Sequence, residues 1–443
     1  METFNTIINI AHWLLGALMF YNGIYFLVGF FTKSKTFKPA PMTRKFGVVI
    51  AARNEEKVIG FLVDSLNEQT YPSENYKIFV VADNCTDDTA KVAREHGAIV
   101  YERHCPEKAR KGWALEYLFE NIEKDYGIQN FDGFVFFDAD NVVSKDYIEQ
   151  LNNAFDTGCD AVIGYRNTKN FDHNCISAHY GIHFMRSSML LHRPRSKFGF
   201  CGHIAGTGYL LSSELLKNGW HYSCLTEDTQ ATMDFAVDGK RIEYCEAAEF
   251  YDEQPYEFKV MARQRIRWAK GRMSCFFSYG YKLIYGIFRR FSKLDAAKNP
   301  SGEKPKFLQS IRKNCSCYDM FFYLMPKNMI FLMLSILQLI ATAILSFYVV
   351  TDGASGTTDY LKPFLALLLS FLGSYASRIA LGVGVVIREW RHIHCSVPKM
   401  IWNLITWPLF DFLDGYLCII SLFMRVKWKP IKHDEAISIN DIK

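Results

Sequence analysis

Residues 46–66, FGVVIAARNEEKVIGFLVDSL, join a short apolar run to an amphipathic segment with helical periodicity. Two more pairs of this kind follow along the chain, and a fourth apolar run, GFVFFDAD, ends at residue 140. Short, continuously apolar strands that alternate with amphipathic helices are typical of a parallel sheet covered on both faces. The sequence therefore predicts an α/β, Rossmann-like domain whose ligands lie beyond the carboxyl ends of its strands.

Polar side chains stand at three of these strand ends. Residues 53–56 follow the first strand, Asp83 ends the second, and Asp138 and Asp140 end the fourth. In an extended segment Asp138 and Asp140 point to the same side, which suits a divalent cation, Mg²⁺ or Mn²⁺, that bridges two phosphates. Asp83 could accept hydrogen bonds from a base or a ribose, and its alternative role is to cap the following helix.

A second pattern pairs the run LTED with the later run QRIRW. Asp228, which follows Glu227, could act as a general base toward an acceptor hydroxyl. Arg265 or Arg267 could offset the charge on a leaving diphosphate, and Trp268 offers a flat face to a sugar ring. Taken alone, an acidic pair is more often a helix start, and an arginine-rich helix is more often a solvated face or a membrane contact.

Seven motifs in a fixed order span roughly residues 46–272: AARNEEKVIG, VVADNCTDDT, KARKGWAL, FFDADN, GTG, LTED and QRIRW. In this order they resemble the family 2 glycosyltransferases of the GT-A fold. The nearest branch is that of bacterial membrane-bound enzymes of exopolysaccharide synthesis, related to cellulose, hyaluronan and poly-N-acetylglucosamine synthases. The resemblance implies an inverting transfer from a nucleotide-activated sugar, usually a UDP-sugar, by a GT-A domain over residues 46–272.

The resemblance also implies roles for individual residues. Asp83 would lie near the uracil and ribose, and Asp138 and Asp140 would bind the diphosphate and the metal. Asp228, with Glu227 beside it, would be the catalytic base. The remaining implied contacts are to the diphosphate, from Lys108, Lys111, Gln264 and Arg267, and to the acceptor, from Trp268, Gly206, Thr207 and Gly208.

Four apolar stretches are long enough to cross a hydrocarbon core of roughly 30 Å. They are residues 8–31, 328–350, 361–387 and 400–424, of which the first two carry no charged residue. The third contains Lys362 and Arg378 and the fourth contains Asp411 and Asp414, and polar groups of this kind are costly inside a membrane. The sequence thus predicts N-terminal and C-terminal transmembrane helices, with Arg378 paired to Asp411 or Asp414.

Basic residues set the expected orientation in the membrane. The linker 32–45 is rich in lysine and arginine, so the positive-inside rule places residues 1–7 outside and the catalytic domain in the cytoplasm. Residues 273–327 are expected to form interfacial helices and a linker, the latter over residues 291–305. These expectations describe a multi-pass protein of the plasma membrane.

The last apolar stretch conflicts with that orientation. If residues 400–424 cross the membrane, the basic tail 425–443 lies outside, against the positive-inside rule. We therefore expect a break near residues 407–415, where proline, glycine and two aspartates occur, so that residues 400–424 form a hairpin or re-entrant element.

Composition narrows the class of function. The net charge of +5 is modest and the basic residues cluster beside apolar segments, which favours lipid headgroups over nucleic acid as partners. The leading hypothesis is an enzyme that extends a polysaccharide, with a second copy or an export partner to complete a channel. The alternatives are a single-addition enzyme acting on a lipid or lipid-linked oligosaccharide, and a non-catalytic membrane scaffold that binds nucleotide sugars.

Overall fold

The computed structural model describes residues 2–289, 307–351, 361–426, 430–431 and 433–442. The predicted linker at 291–305 lies outside the described residues. Helices α1 (Glu2–Leu18) and α2 (Tyr21–Phe31) form the N-terminal region and meet at a 43° bend. The single span predicted for residues 8–31 is therefore a bent pair of helices. The second helix is held to the rest of the protein, because the hydroxyl of Tyr25 donates to Asp319 at 2.9 Å.

The α/β domain is built on one sheet in the order β3-β2-β1-β4-β7-β6-β8-β5. Its strands are β1 (Phe46–Ala52), β2 (Tyr76–Asp83), β3 (Ile99–Arg103), β4 (Gly133–Asp138), β5 (Val142–Val143), β6 (Ala161–Thr168), β7 (Tyr209–Ser212) and β8 (Ile242–Asp252). Strands β1 to β4 are parallel, which confirms the predicted Rossmann-like half. The second half is mixed, since β7 is antiparallel to both β4 and β6, whereas β6 and β8 are parallel.

Helices cover both faces of the sheet. The first half and the linking region contain α3 (Ile59–Asn67), α4 (Thr89–Glu95), α5 (Lys111–Asp125), α6 (Tyr147–Phe155), α7 (Cys175–Ser187), α8 (Arg193–Phe198), α9 (Ser213–Leu216) and α10 (Glu227–Val237). Successive residues of β1 face opposite sides, so Val48 belongs to the same buried core as Leu62 of α3, and Val49 to the same core as Leu118 of α5. The sheet is thereby sealed on both faces, and its polar strand ends are left at the rim.

The C-terminal half consists of long helices: α11 (Phe258–Phe288), α12 (Phe307–Leu324), α13 (Lys327–Thr351), α14 (Leu361–Glu389) and α15 (Val397–Phe423). Three of their segments are long and apolar enough to cross a membrane, namely Lys327–Ile344, Phe364–His392 and Val397–Phe423. A buried cluster that includes Tyr180, Val385, Trp407 and Phe410 joins α7 of the catalytic domain to α14 and α15.

The hairpin predicted for residues 400–424 is wrong, because α15 is one continuous helix with Pro408 inside it. The polar residues that suggested a break are instead paired with neighbouring helices. Asp411 accepts from Arg186 of α7 at 2.7 Å and from Arg378 of α14 at 2.9 Å, so the predicted pairing of Arg378 is confirmed. Asp414 lies 3.4 Å from Arg265 of α11. These ion pairs satisfy the aspartates without interrupting the helix.

Candidate active site

One cavity of about 530 Å³ runs from the strand ends to the C-terminal helices. Its first part is lined by the ends of β2 and β4, its middle by the first turns of α10 and α11, and its far end by α13, α14 and α15. A volume of this size suits a small organic ligand that is largely enclosed. Both sequence patterns, the strand-end carboxylates and the LTED and QRIRW runs, meet in this one cavity.

Asp83 occupies the end of β2, as predicted, and lines the cavity. Arg103, at the end of the neighbouring strand β3, donates to its Oδ1 atom, and Asn84 donates to the same oxygen at 2.9 Å. The carboxylate is therefore fixed in position, with its second oxygen free of these two donors. It does not cap the next helix, whose N-terminal residue Asp88 also makes no side-chain cap.

Asp138, at the end of β4, forms an ion pair with the ammonium of Lys111. Lys111 is the first residue of α5, and its ammonium also donates to the carbonyl of Gly206 at 2.7 Å. The backbone amide of Asp138 donates to the Thr207 hydroxyl at 2.9 Å, so the GTG loop is tied to the end of β4. Burial alone would lower the pKa of Lys111, but Asp138, Glu227 and Asp228 raise it above its usual range.

Asp140 is buried in a group of acidic residues. Its Oδ2 atom accepts from the backbone amide of Glu253 at 3.3 Å. Burial raises the pKa of Asp140 well above its ordinary value; His433 opposes the shift, and Asp252 and Asp138 reinforce it. A nearby cation would offset the cost of burying the ionised carboxylate, so Asp140 fits the predicted divalent metal.

In the described part of the chain, no cluster of three or more carboxylate, imidazole or thiolate groups could hold a metal ion without further ligands. Asp138, predicted as a second ligand, is paired with Lys111 instead. A metal at Asp140 would consequently depend on other ligands, such as phosphate oxygens, which is the usual situation for Mg²⁺ in nucleotide sites.

Glu227 and Asp228 begin α10 and both line the cavity. The backbone amide of Thr229 donates to Oδ1 of Asp228 at 2.7 Å, which orients the carboxylate. Burial, reinforced by Asp228 and opposed by Lys111, raises the pKa of Glu227 to about 7. Burial also raises the pKa of Asp228. Because two carboxylates share this dry site, the pair can hold and release a proton near neutral pH, as a general base must.

The QRIRW run, residues 264–268, starts in the second turn of α11, and its side chains point to two different sides of the helix. Arg267 donates to the carbonyl of Leu225 at 3.5 Å and lies close enough to lower the pKa of both Glu227 and Asp228. Gln264 accepts from the Tyr180 hydroxyl at 2.6 Å. The ring of Trp268 lines the cavity. All three residues line the cavity, and their predicted contacts with a diphosphate and an acceptor stay predictions.

Arg265 and two other predicted residues have different environments. Arg265 is buried and lines the cavity, but its Nη1 atom donates to the carbonyl of Phe410 in α15 at 2.7 Å, so its guanidinium also contacts that helix. The ammonium of Lys108 lies over the Trp113 ring at 4.5 Å, and Lys108 does not line the cavity. A Cβ atom on Gly208 would lie 2.0 Å from the Phe250 ring, so the absence of a side chain permits close packing here, and Gly208 does not line the cavity. By contrast, Gly206 and Thr207 do line the cavity.

Sequence reasoning missed two residues of the site, Glu55 and His433. Glu55 follows β1, among the polar residues noted at that strand end. His433 lies in the C-terminal tail, and its Nδ1 atom is 3.0 Å from both carboxylate oxygens of Glu55. Burial lowers the pKa of His433, but Asp140, Glu55 and Glu253 outweigh it and raise the pKa to about 10. No local signal in the tail indicates that it returns to the strand ends.

The protein thus combines a Rossmann-type α/β domain with an acidic strand end that faces a buried Glu-Asp pair across one cavity. Residues 43–271 match the model described as glycosyltransferase-like family 2. This match covers more than half of the 443 residues, and the chain belongs to that family.

Individual relatives are more distant. The chain is 28% identical over 235 residues to the probable glycosyltransferase YdaM of Bacillus subtilis, a match that covers 51% of this chain and 55% of the relative. It is 24% identical over 244 residues to the beta-monoglucosyldiacylglycerol synthase of Nostoc sp., covering 52% of this chain and 50% of the relative. The matches therefore span about half the length of these curated relatives.

Among solved structures, a mannosyltransferase from Pyrobaculum calidifontis in complex with GDP-Man and Mn²⁺ has a TM-score of 0.51 and 15% identity. The likeness covers 95% of this chain and 98% of that one, so it extends through the C-terminal helices. It concerns the fold alone.

Proposed function

We propose that this protein transfers a sugar, with inversion, from a nucleoside diphosphate donor to an acceptor presented by the membrane. The observation that carries the proposal is the continuity of the cavity from Asp83 and Asp140, past Asp228, to Lys327 and Asp414 on the C-terminal helices. A donor bound at the strand ends and an acceptor entering from the helices would meet at Asp228. The donor is proposed to be a UDP-sugar.

The chemistry follows from the groups that surround this meeting point. Asp228 would remove the proton of the acceptor hydroxyl while the sugar–phosphate bond breaks on the opposite face, so no covalent enzyme intermediate is required. The guanidinium of Arg267 and the ammonium of Lys111 stand near the carboxylate pair and would offset charge that develops on the diphosphate. A divalent cation held at Asp140 would supply further positive charge to the same phosphates.

A lipid acceptor is favoured by what lines the far end of the cavity. Leu381 and Phe410 provide apolar surface there, while Lys327 and Asn328 provide polar groups at the start of α13. This combination suits a molecule with an apolar chain and a polar head. The beta-monoglucosyldiacylglycerol synthases among the relatives are named for a lipid product, which supports the same class of acceptor for this chain.

A growing polysaccharide is the second candidate, and one observation favours it. Trp268, Tyr180 and Phe184 form a group of rings with centroid separations of 6.0 to 6.5 Å next to Gln264. Aromatic faces beside a catalytic carboxylate would suit successive sugar rings. A polymer would need a longer exit path, from a second copy or an export partner.

The proposed membrane arrangement is cytoplasmic for the catalytic domain, with the bent pair α1–α2, α13 and α14 crossing the bilayer. Helix α15 would lie along the membrane face, because 44% of the residues in its most apolar stretch are buried inside the protein. The corresponding fractions are 11% for α13 and 0% for α14. Both of its ends contact the catalytic domain: Lys399 lies 2.7 Å from Asp172, and Lys270 donates to the carbonyl of Leu422 at 3.4 Å. The basic tail then stays on the cytoplasmic side, in agreement with the positive-inside rule.

The test is incorporation from a panel of radiolabelled UDP-sugars and GDP-mannose by membranes that contain the wild-type protein or the Asp228→Asn variant. A short, organic-extractable product that requires Asp228 would support the lipid acceptor, and a long polymer that requires Asp228 would support the polysaccharide. Equal incorporation by the variant, at equal expression, would show that Asp228 is not the base. Wild-type membranes that incorporate no sugar from any donor would favour the non-catalytic scaffold.

A further inference from the structure

The far end of the cavity, where the C-terminal helices line it, carries more positive than negative charge. The charged side chains there are Arg186 of α7, Arg265 and Arg272 of α11, Lys327 of α13, and Asp411 and Asp414 of α15. Each aspartate is already shared between two arginines. Asp411 lies 2.7 Å from Arg186 and 2.9 Å from Arg378 of α14, and Asp414 lies 3.4 and 3.3 Å from the two arginines of α11. Two carboxylates thus face four guanidinium groups before Lys327 is counted.

Lys327 adds to this excess of positive charge. It is the first residue of α13, and among the described residues its ammonium has no hydrogen-bond or ion-pair partner. Two of the charged groups that act on it, Arg186 and Arg272, are themselves cations. A carboxylate that also acts on it, Asp319, is already paired with Arg195 at 2.7 Å. The ammonium is therefore available to an anion that enters the cavity.

Phosphate is the anion that this cluster suits. Enclosed charges of one sign are costly unless a group of opposite sign offsets them. Guanidinium groups bind phosphate oxygens through paired hydrogen bonds, and a lysine ammonium binds phosphate as a point charge. The side chains of Arg186, Arg272 and Lys327 come from three different helices and line one space, so they can approach the same phosphate from different sides.

The surroundings of the cluster point to a lipid as the source of that phosphate. Leu381 and Phe410 line the same end of the cavity with apolar surface. Lys327 begins α13 and Leu381 lies in the last third of α14, so in the proposed topology both lie where these helices meet the cytoplasmic face of the membrane. Basic pockets between helices at that depth bind lipid headgroups. The donor diphosphate is expected elsewhere, at the strand ends.

We propose that the acceptor is a phospholipid whose headgroup carries a free hydroxyl, and that Lys327, Arg186 and Arg272 bind its phosphate. This inference rests on the proposed function, which supplies the donor and the base. The headgroup hydroxyl would reach Asp228 while an acyl chain lies against Leu381. The hydroxyl oxygen would then bond to the anomeric carbon, and the hydroxyl proton would pass to Asp228. The bond from that carbon to the diphosphate would break, with its electrons leaving on the nucleoside diphosphate.

The first experiment measures binding, so it does not depend on turnover. Full-length protein in detergent is titrated calorimetrically with short-chain phosphatidylglycerol, with dioctanoylglycerol and with inorganic phosphate. Phosphatidylglycerol combines acyl chains with a phosphate, whereas each of the other two probes has only one of these features. We expect phosphatidylglycerol to bind at least about tenfold more tightly than either of them.

Variants of Lys327 test whether the cluster is the site. Lys327→Gln should weaken phosphatidylglycerol binding by at least about tenfold and leave dioctanoylglycerol binding unchanged. Lys327→Arg keeps the charge and should retain most of the affinity. Lys259→Gln is the matched control, because it makes the same change at an exposed residue of α11 that does not line the cavity, and it should alter neither affinity. Equal thermal midpoints would show that the variants are folded.

Three binding results would overturn the inference. Phosphatidylglycerol that binds the wild type no more tightly than dioctanoylglycerol would show that there is no phosphate site. Inorganic phosphate that binds as tightly as phosphatidylglycerol would show a site for a free anion and not for a lipid. Unchanged phosphatidylglycerol binding by folded Lys327→Gln would show that the cluster does not hold the headgroup.

Transfer assays separate this inference from the proposed function. With the nucleotide sugar that membranes incorporate, the wild type should label phosphatidylglycerol, and Lys327→Gln should raise the KM for the lipid but not for the donor. A raised KM for the donor alone would place these cations at the diphosphate and overturn the inference. If dioctanoylglycerol is labelled and phosphatidylglycerol is not, the proposed function stands and this inference fails. If no donor labels any acceptor, the proposed function fails, while phosphatidylglycerol binding that requires Lys327 would still establish the phospholipid site.

Discussion

The buried glutamate at the start of α10 should reduce the stability of the folded protein at alkaline pH. The pKa of Glu227 is raised from 4.5 to about 7, first by burial and then by Asp228. Between about pH 4.5 and pH 7, Glu227 therefore keeps its proton in the folded state and loses it in the unfolded state. Folding stability falls as the pH rises through this range. This shift in the Glu227 pKa corresponds to about 3 kcal/mol of folding free energy, all of which is lost above pH 7.

Replacement of Glu227 by glutamine removes this cost, because the amide is neutral at every pH. We expect Glu227→Gln to raise the thermal midpoint at pH 8 by roughly 3 to 6 °C and to change it little at pH 4.5. The assay is thermal unfolding of the detergent-purified protein at both pH values and one scan rate. Glu120→Gln, an exposed substitution on α5, is the matched control and should have little effect at either pH. A midpoint for Glu227→Gln that does not rise at pH 8, or that rises equally at both pH values, would refute the assigned cost of ionisation.

Three further predictions concern other parts of the fold. Gly208→Ala should lower the free energy of unfolding by at least about 2 kcal/mol, because Gly208 has a φ of +66° and a Cβ atom there would lie 2.0 Å from Phe250. The assay is thermal unfolding, and the control is Gly16→Ala, where a Cβ atom would have nothing within 4 Å. Arg195→Met should lower the free energy of unfolding by about 3 to 5 kcal/mol, because Asp319 would stay buried without the guanidinium that lies 2.7 Å away. The double variant with Asp319→Leu should recover most of that loss in the same assay. Arg267→Ala should reduce kcat by roughly a hundredfold or more with an unchanged thermal midpoint, and an effect confined to KM would contradict a role in the transition state.

The parallel half of the sheet could be predicted because its signal is local. Strands β1, β2 and β4 each contain a continuous apolar run, and β1 to β3 are each followed by a segment of helical periodicity, so the strands, the helices and the polar strand ends could all be identified. The same is true of Asp83 and Asp140, which stand at or just after the ends of β2 and β4, whereas Asp228 and Arg267 lie on α10 and α11 and were singled out by the LTED and QRIRW runs. Their convergence in one cavity follows from the parallel topology.

The errors concern residues whose partners are distant in sequence. Arg265 and Arg267 are two positions apart on one helix and therefore face different sides, but only the packed structure shows that α15 lies on the side of Arg265. The aspartates of α15 suggested a break because their arginine partners come from α7, α11 and α14. His433 could not be assigned for the same reason, since its contact with Glu55 spans most of the chain.

The first turns of α11 link the carboxylate pair of α10 to the C-terminal helices through direct contacts. Arg267 faces the carboxylates of α10, and Arg265, on the adjacent face, donates to the backbone of α15 and lies 4.0 Å from the Phe410 ring centre. A rotation of α11 that improved one contact would disturb the other, because an α-helix transmits such a movement as a rigid element. Helix α15 in turn holds Asp411, which pairs with arginines of α7 and α14 at the far end of the cavity. The geometry of the proposed acceptor path and the position of Arg267 are thus set together, so substitutions on α15 that never touch a substrate should still alter the catalytic rate.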